Sequence, residues 1–302
     1  MIRPAISAST AVSSFNSRSA AWCKVSPNSS VPPGIDHCPL KGALPRRISK
    51  TSSPRQTTTP TPVWGRLTAE ARLGRALSMC GRYVISLTLD QLAELFETQD
   101  RPNFAPSWNA APTQSLPVVR RGKDGEARLS LIRWGLVPSW SKTGPAGAKP
   151  LINARSETAA EKPTFRAALK RRRALAPADG FYEWSTREDG SKQPWYITRT
   201  DGAPLVMASI WERWGEGDNT LDSFAILTHE AGPDIAHLHH RSPVLVEPED
   251  FARWLDPDSD PSSFFGADAK GRLTARAVGD RVNKVRENDQ ALLNEPGADR
   301  LI

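Results

Sequence analysis

Leu89, Leu92, Leu95 and Phe96 recur at three- and four-residue intervals, the spacing that lines one face of an α-helix. Thr88 followed three residues later by Gln91 supplies a capping box, so a short amphipathic helix is predicted over residues 89–97. Beyond it the pattern changes to short β-like runs separated by the turn dipeptides Asp124-Gly125, Asp189-Gly190, Asp201-Gly202 and Gly217-Asp218. The runs ARLSLIRW, GFYEWS, PWYITR, PLVMASIWERW and SFAILT read as strands of an antiparallel meander. Helices are predicted at PTFRAALKRR, PDIAHLHH and PEDFARWL, each with Pro near its first turn. The expected architecture is α+β: a single domain with a curled, mostly antiparallel, barrel-like β-sheet and peripheral helices. No repeat and no domain break interrupts residues 79–302.

Residues 1–78 look different. They hold 13 Ser and 9 Pro, with 11 Lys plus Arg against only Asp36 and Glu70. Such a stretch has little to fold around and is expected to be a disordered basic extension. Three origins stay open for it: an organelle transit peptide, a disordered extension, or translated upstream sequence with the biological start at Met79. From residue 79 onward, 29 basic residues face 31 acidic ones, so the pI of 9.5 belongs to the extension. Overall basicity is therefore no argument for nucleic acid, and any such argument rests on where individual cations sit. No apolar run approaches the length of a membrane-spanning helix, and the amino end lacks the apolar core of a secretory signal. Of Cys23, Cys38 and Cys80, only the last lies beyond the extension. A disulfide framework within the domain is excluded, and a reducing, cytoplasmic setting is expected.

Cys80 directly follows Met79 in SMCGRYV. If Met79 is removed, Cys80 bears a free α-amine and a thiol on adjacent carbons. An unblocked terminal amine titrates at about 8, so part of it is unprotonated near neutrality and can attack an aldehyde to form an imine. The thiol can then close on the imine carbon to give a five-membered thiazolidine; the alternative is that Cys80 is a small buried hydrophobe. Four of the five histidines fall within LTHEAGPDIAHLHHRSP, but His237, His239 and His240 do not share a helical face, and no cysteine or close carboxylates complete a metal site. No cofactor is expected. One of these imidazoles suits general acid/base work. In LINARSET, alternation puts Asn153 and Arg155 on the same side of an extended strand, with Glu157 following. Glu183 lies inside the aromatic strand ADGFYEWS and needs a partner if buried; otherwise it is an edge charge facing water. IRWGLVPSW interleaves Arg133 with Trp134 and Trp140, which serve either as core or as base-stacking platforms. KPTFRAALKRRR carries six cations without an acid and reads as a solvated helix end.

The segments MCGRY, NxAPTQ (residues 109–114), RWGLVPSW, INARSET, PADGFYEW, LTHEA, HHRSP and VNKVRENDQALLNEP occur in this order along the chain. As an ordered set they resemble the SRAP family, the SOS-response-associated peptidases that process abasic sites, from Met79 to about Pro296. The resemblance implies covalent capture of the ring-opened abasic sugar in single-stranded DNA by an amino-terminal cysteine, as a thiazolidine crosslink that shields the lesion. It implies Cys80 as nucleophile, Asn153 holding cysteine and sugar, Glu183 managing the proton of the α-amine, and His239 as the acid/base that helps open the sugar. Arg82, Arg155 and Arg241 match positions that grip phosphates, and Thr228 joins the DNA-contacting set. Trp134, Trp140 and Pro112 lie in motifs that flank bases. Ser242 stands where the family pattern has Met, which affects packing but removes no functional group.

The implied partner is single-stranded DNA carrying abasic sites, met by a monomeric, cytoplasmic protein that is nucleoid-associated when bound. Phosphate contacts position a strand without reading it, and aromatic stacking tolerates any base, which suits a lesion in any context. Two other readings remain. One is a hydrolytic amino-terminal-cysteine peptidase that releases its own 78-residue leader, and the other is a non-catalytic single-strand binding module.

Overall fold

The computed structural model describes residues 81–147, 149–266 and 270–297. Cys80, the expected extension over residues 1–78 and its boundary lie outside the described residues. In chain order the strands are β1 (Tyr83–Ile85), β2 (Ser107–Ala110), β3 (Ser115–Arg121), β4 (Ala127–Trp134), β5 (Asn153–Arg155), β6 (Arg173–Ala178), β7 (Gly180–Thr186), β8 (Lys192–Arg199), β9 (Leu205–Trp214), β10 (Leu221–Glu230), β11 (Arg241–Pro243) and β12 (Leu273–Ala277). The α-helices among the described residues are short: α1 (Leu89–Phe96), α2 (Ser156–Ala159), α3 (Arg166–Arg171) and α4 (Phe251–Leu255). None is long and apolar enough to cross a membrane.

The strands form two sheets. One is antiparallel throughout, in the order β12-β8-β7-β1-β2. The other runs β11-β10-β4-β3-β6-β9, and β9 pairs back onto β10, which closes the five strands β10, β4, β3, β6 and β9 into a ring. The architecture is thus α+β with a barrel-like, mostly antiparallel sheet. It is not a simple meander, because β4 and β5 both pair parallel to β10.

Local chemistry accounts for α1. The Thr88 hydroxyl accepts from the Gln91 amide at 3.2 Å, while the Gln91 side chain accepts from the Thr88 amide at 2.8 Å, so two amides lacking partners in the first turn are satisfied. Leu92, Ala93 and Phe96 face inward, and the Phe96 ring meets Phe251 of α4 with centroids 5.1 Å apart. The helix predicted over PDIAHLHH does not form; residues 233–238 make a succession of turns. The helix predicted over PTFRAALKRR shortens to α3 because Arg173 already belongs to β6. That arginine is buried, donating to the Asp256 and Ser259 carbonyls beyond α4, with burial lowering its pKa. Arg172 pairs with buried Glu212 at 2.6 Å. The basic run is therefore only partly a solvated helix end.

The larger core fills the barrel and extends to β1 through Tyr83 and Ile85. A second, smaller cluster holds Val84, Tyr182, Tyr196, Val278 and Val282. Successive side chains of a strand point to opposite faces, so the three apolar residues of β1 serve both clusters at once. β1 is held in place by β7: Tyr83 lies opposite Phe181 and Val84 opposite Gly180. Gly180 leaves room for a neighbour, since a Cβ there would lie 2.5 Å from the Ile197 carbonyl oxygen and 2.6 Å from the Tyr196 ring.

Replacing Gly180 with alanine is expected to destabilise the protein by about 1–3 kcal/mol, the usual cost of overpacking a site whose neighbour is backbone. Denaturant unfolding of Gly180→Ala checks this: a lower midpoint at unchanged slope is expected, and parental stability would show that the β7–β8 seam yields.

Candidate functional site

β5 and β11 flank the end of β10. Asn153, Ala154 and Arg155 lie beside Ile226, Leu227 and Thr228, while Thr228, His229 and Glu230 face Pro243, Ser242 and Arg241. Ala154 is buried, Asn153 half-buried and Arg155 exposed, so the alternation read from INARSET places Asn153 and Arg155 on the outward side. α2 begins at the next residue and carries Glu157. Arg241 reaches across to it, donating to both carboxylate oxygens at 2.5 and 2.8 Å and to the Thr228 carbonyl at 2.5 Å. This bidentate pair holds the Glu157 carboxyl below the usual carboxylate range.

His239 precedes this strand and is buried, whereas its neighbour His240 is exposed; their rings lie 4.4 Å apart. The Arg241 amide donates to His239 Nδ1 at 3.1 Å. Nδ1 also lies 3.3 Å from the Arg241 carbonyl, so it can accept from the amide or donate to the carbonyl, while Nε2 has no hydrogen-bond partner among the described residues. Burial lowers the His239 pKa, opposed by the Arg241 backbone, and the charges of His240 and Arg241 lower it further. The ring therefore favours its neutral form more than a free imidazole does, and Nε2 is buried without a partner among the described residues.

Glu183 belongs to the other sheet. It is 2% exposed, on β7 opposite Trp195 of β8. The Tyr182 amide donates to the Arg82 carbonyl at 3.0 Å, so the β1–β7 register extends back to residue 82. Glu183 follows Tyr182 directly on β7, and Arg82 lies two residues after Cys80.

Trp134 joins these parts. Its indole N–H donates to the Ile152 carbonyl at 3.0 Å, one residue before Asn153, and its ring packs on Tyr83 of β1 at 5.1 Å and on Phe224 of β10 at 6.4 Å. Its backbone binds the turn carrying Pro112: the Thr113 amide donates to the Trp134 carbonyl at 2.8 Å, and the Trp134 amide to the Gln114 carbonyl at 2.9 Å. Thr113 sits at φ 77°, where a β-branched residue is strained.

Several expectations require correction. Trp134 is 0% exposed and offers no face to a base, so it is a structural post. Arg241 and Thr228 are buried and bonded to each other, and Arg241 is bound to Glu157, so neither presents a free group to phosphate in this arrangement. Arg82 is half-buried, with Nη1 of its guanidinium donating to Asn109 Oδ1 at 2.8 Å and the Val282 carbonyl at 3.0 Å. Arg155 is exposed, with no ion pair among the described residues. Pro112 is half-exposed. Trp140 is 65% exposed, at the rim of a cleft of about 450 Å³ bordered by Arg133, Pro138, Lys142 and Lys149. Sequence reasoning gave no role to Asn109 or Glu157, although both stand inside quoted motifs.

The SOS response associated peptidase (SRAP) family matches residues 79–285. The abasic site processing protein YoqW of Bacillus subtilis is 33% identical over 71% of this chain and 99% of its own. The abasic site processing protein YedK of Escherichia coli is 34% identical over 59% of this chain and 79% of its own. A solved structure from Bordetella bronchiseptica, at 28% identity, covers 66% of this chain and 99% of its own with a TM-score of 0.57. Another, from Bacteroides thetaiotaomicron, shares the fold at a TM-score of 0.64 and 22% identity, over 72% of this chain and 99% of its own.

The Glu157–Arg241 pair makes stability depend on pH. A carboxyl whose folded pKa is depressed stabilises the fold above its unfolded pKa and loses that contribution as pH falls through the folded value. Because Glu157 is half-exposed, Glu157→Gln is expected to cost about 1 kcal/mol at neutral pH, well short of a fully buried pair. The gap between parent and variant should close as pH drops below the ordinary carboxylate range. Chemical denaturation across that range checks it; a gap that persists in acid would assign the effect to packing.

Proposed function

The chain belongs to the SOS response associated peptidase family, and on that footing we propose that it captures abasic sites in single-stranded DNA as a covalent thiazolidine adduct of an amino-terminal Cys80. The α-amine adds to the ring-opened sugar aldehyde, and loss of water gives an imine. The thiol then adds to the imine carbon, so one C–N and one C–S bond form and the aldehyde oxygen leaves as water. The reading rests chiefly on one observation: buried Glu183 directly follows Tyr182, whose amide bonds the carbonyl of Arg82, two residues after Cys80. A carboxylate there can take the amine's proton as the amine attacks.

His239, with Nε2 without a partner among the described residues, serves as the proton donor and acceptor that opens the sugar. Asn153 offers an amide able both to donate and to accept, suited to holding the sugar and the cysteine. Arg155 supplies a phosphate contact and Trp140 a stacking face, while Pro112 borders the bases. The relatives named as abasic site processing proteins support the substrate class. The family's description as a peptidase keeps a second reading in view, in which Cys80, Glu183 and His239 hydrolyse a peptide bond ahead of Cys80.

The terminal amine makes the two readings separable. A chain whose first residue is Cys80, verified by intact mass, should form a denaturation-resistant adduct with an abasic oligonucleotide. A full-length chain with residues 1–78 retained should not, because its Cys80 nitrogen is an amide. Equal crosslinking by both would overturn the aminothiol mechanism, and spontaneous shortening of purified full-length protein would favour the peptidase.

The adjacent histidines give a second test. His239→Ala should slow capture by about 10² to 10⁴, the usual contribution of a general acid/base, and His240→Ala only slightly. Protonation of the terminal amine should slow capture as pH falls through about 8, and because burial lowers the His239 pKa, the loss that His239 adds should come only below the ordinary imidazole range. Single-turnover rates read from denaturing gels decide both points; the reverse order of the two variants would assign the role to His240.

A further inference from the structure

Residues 282–288 run along β2 and are held there by two asparagines. Asn109 is 1% exposed, and its side-chain amide faces the carbonyls of Val282, Lys284 and Glu287 at 3.3, 3.1 and 2.8 Å. Asn288 Oδ1 accepts in return from the Trp108 and Asn109 amides at 2.7 and 3.1 Å and from the Ser107 hydroxyl at 3.1 Å. Arg82, two residues after Cys80, donates to both Asn109 and the Val282 carbonyl, which ties this segment to the residue just before β1. A buried amide engaged with three carbonyls gives the loop one shape rather than many.

That shape presents four consecutive exposed residues, Asn283, Lys284, Val285 and Arg286. Val285 is 51% exposed and, with Trp140, one of two large hydrophobics exposed among the described residues. The local acids are largely drawn away. Glu287 and Asp289 both bond Arg281, at 2.9 and 2.6 Å, and Asp280 pairs with Arg187 at 3.0 Å. Lys284 has no ion pair among the described residues, and Arg286 has only a loose contact to Glu287 at 3.7 Å, with its side chain 81% exposed. Two cations bracketing an exposed apolar side chain, on a pre-formed loop, match a polyanion with apolar bases better than they match bulk water.

The geometry points to residues 282–288 as a second contact surface for the single strand, with Lys284 and Arg286 binding phosphates beside the reacting nucleotide. The assignment rests on the single-stranded DNA reading above. Asn109 and Asn288 act as positioning residues, and Arg82 contributes through the loop rather than by touching DNA.

Binding of an undamaged oligonucleotide, followed by fluorescence anisotropy across a salt series, tests this without the covalent step. On a single strand, removing one phosphate-binding cation flattens the slope of log K against log salt by about 0.7. Lys284→Ala combined with Arg286→Ala should flatten it by about 1.4 and weaken binding roughly 20-fold at 0.1 M salt. The fold should be unaffected, because Asn109 holds backbone carbonyls that both substitutions keep. Lys170→Ala with Arg171→Ala, two exposed cations on α3, serves as control and should leave the slope unchanged. Asn109→Ala should weaken binding partway, by freeing the loop. If the parent binds in a salt-dependent way and the Lys284/Arg286 variant keeps the parental slope, or the control loses as much, the surface is wrong while the reading of function stands. If the parent shows no salt-dependent binding, the reading of function falls, and this surface with it.

Discussion

The indole of Trp134 is the joint on which the site depends. A buried indole N–H needs an acceptor, and the one it finds is the carbonyl of Ile152, immediately before Asn153. The same ring packs on Tyr83 of β1, and the same backbone closes the strained turn of Pro112 and Thr113. One fully buried side chain therefore sets the spacing between the amino-terminal strand, the β5 edge and the loop beside them. These pieces come from both sheets, whose apolar residues share the core in which the Trp134 ring lies.

Charge is distributed by pairing rather than by count. Arg241 is drawn to Glu157, Arg199 to Asp201 and Glu247, Arg281 to Glu287 and Asp289, and Arg120 and Arg213 to Asp222. The cations that face solvent without an ion pair among the described residues include Arg155, Lys142, Lys149, Lys284 and, on α3, Arg166, Lys170 and Arg171. A near-neutral domain can thus hold local cationic surfaces, because its acids are engaged elsewhere. The buried arginines stay charged and gain specificity of position, since a planar guanidinium fits a carboxylate or a pair of carbonyls in few ways.

The candidate residues divide between the two sheets. The antiparallel sheet contributes β1 and Glu183, while the barrel contributes Asn153, Arg155 and His239. His239 and His240 differ only in burial, yet that difference separates a neutral imidazole shielded from water from a solvated one. The backbone of Arg241 holds the His239 ring through both its amide and its carbonyl.

Short-range rules made part of this legible in the sequence. The capping box at Thr88 and Gln91 and the three- to four-residue apolar spacing predict α1 within one residue of its end. Alternation put Asn153 and Arg155 on one face of β5, and turn dipeptides separated runs that are indeed strands. Each of these depends on residues a few positions apart. The failures depend on distant partners. Whether Trp134 faces a base or a core is decided by Tyr83 and Ile152, and whether Arg241 is free by Glu157, 84 residues away. Arg82 is turned by a carbonyl 200 residues along the chain. Closure of the barrel likewise needs β9 and β4 on opposite sides of β10, with β4 parallel to it. Local pattern determines period, caps and alternation because those energies are local; burial and charge pairing are settled only when distant segments meet.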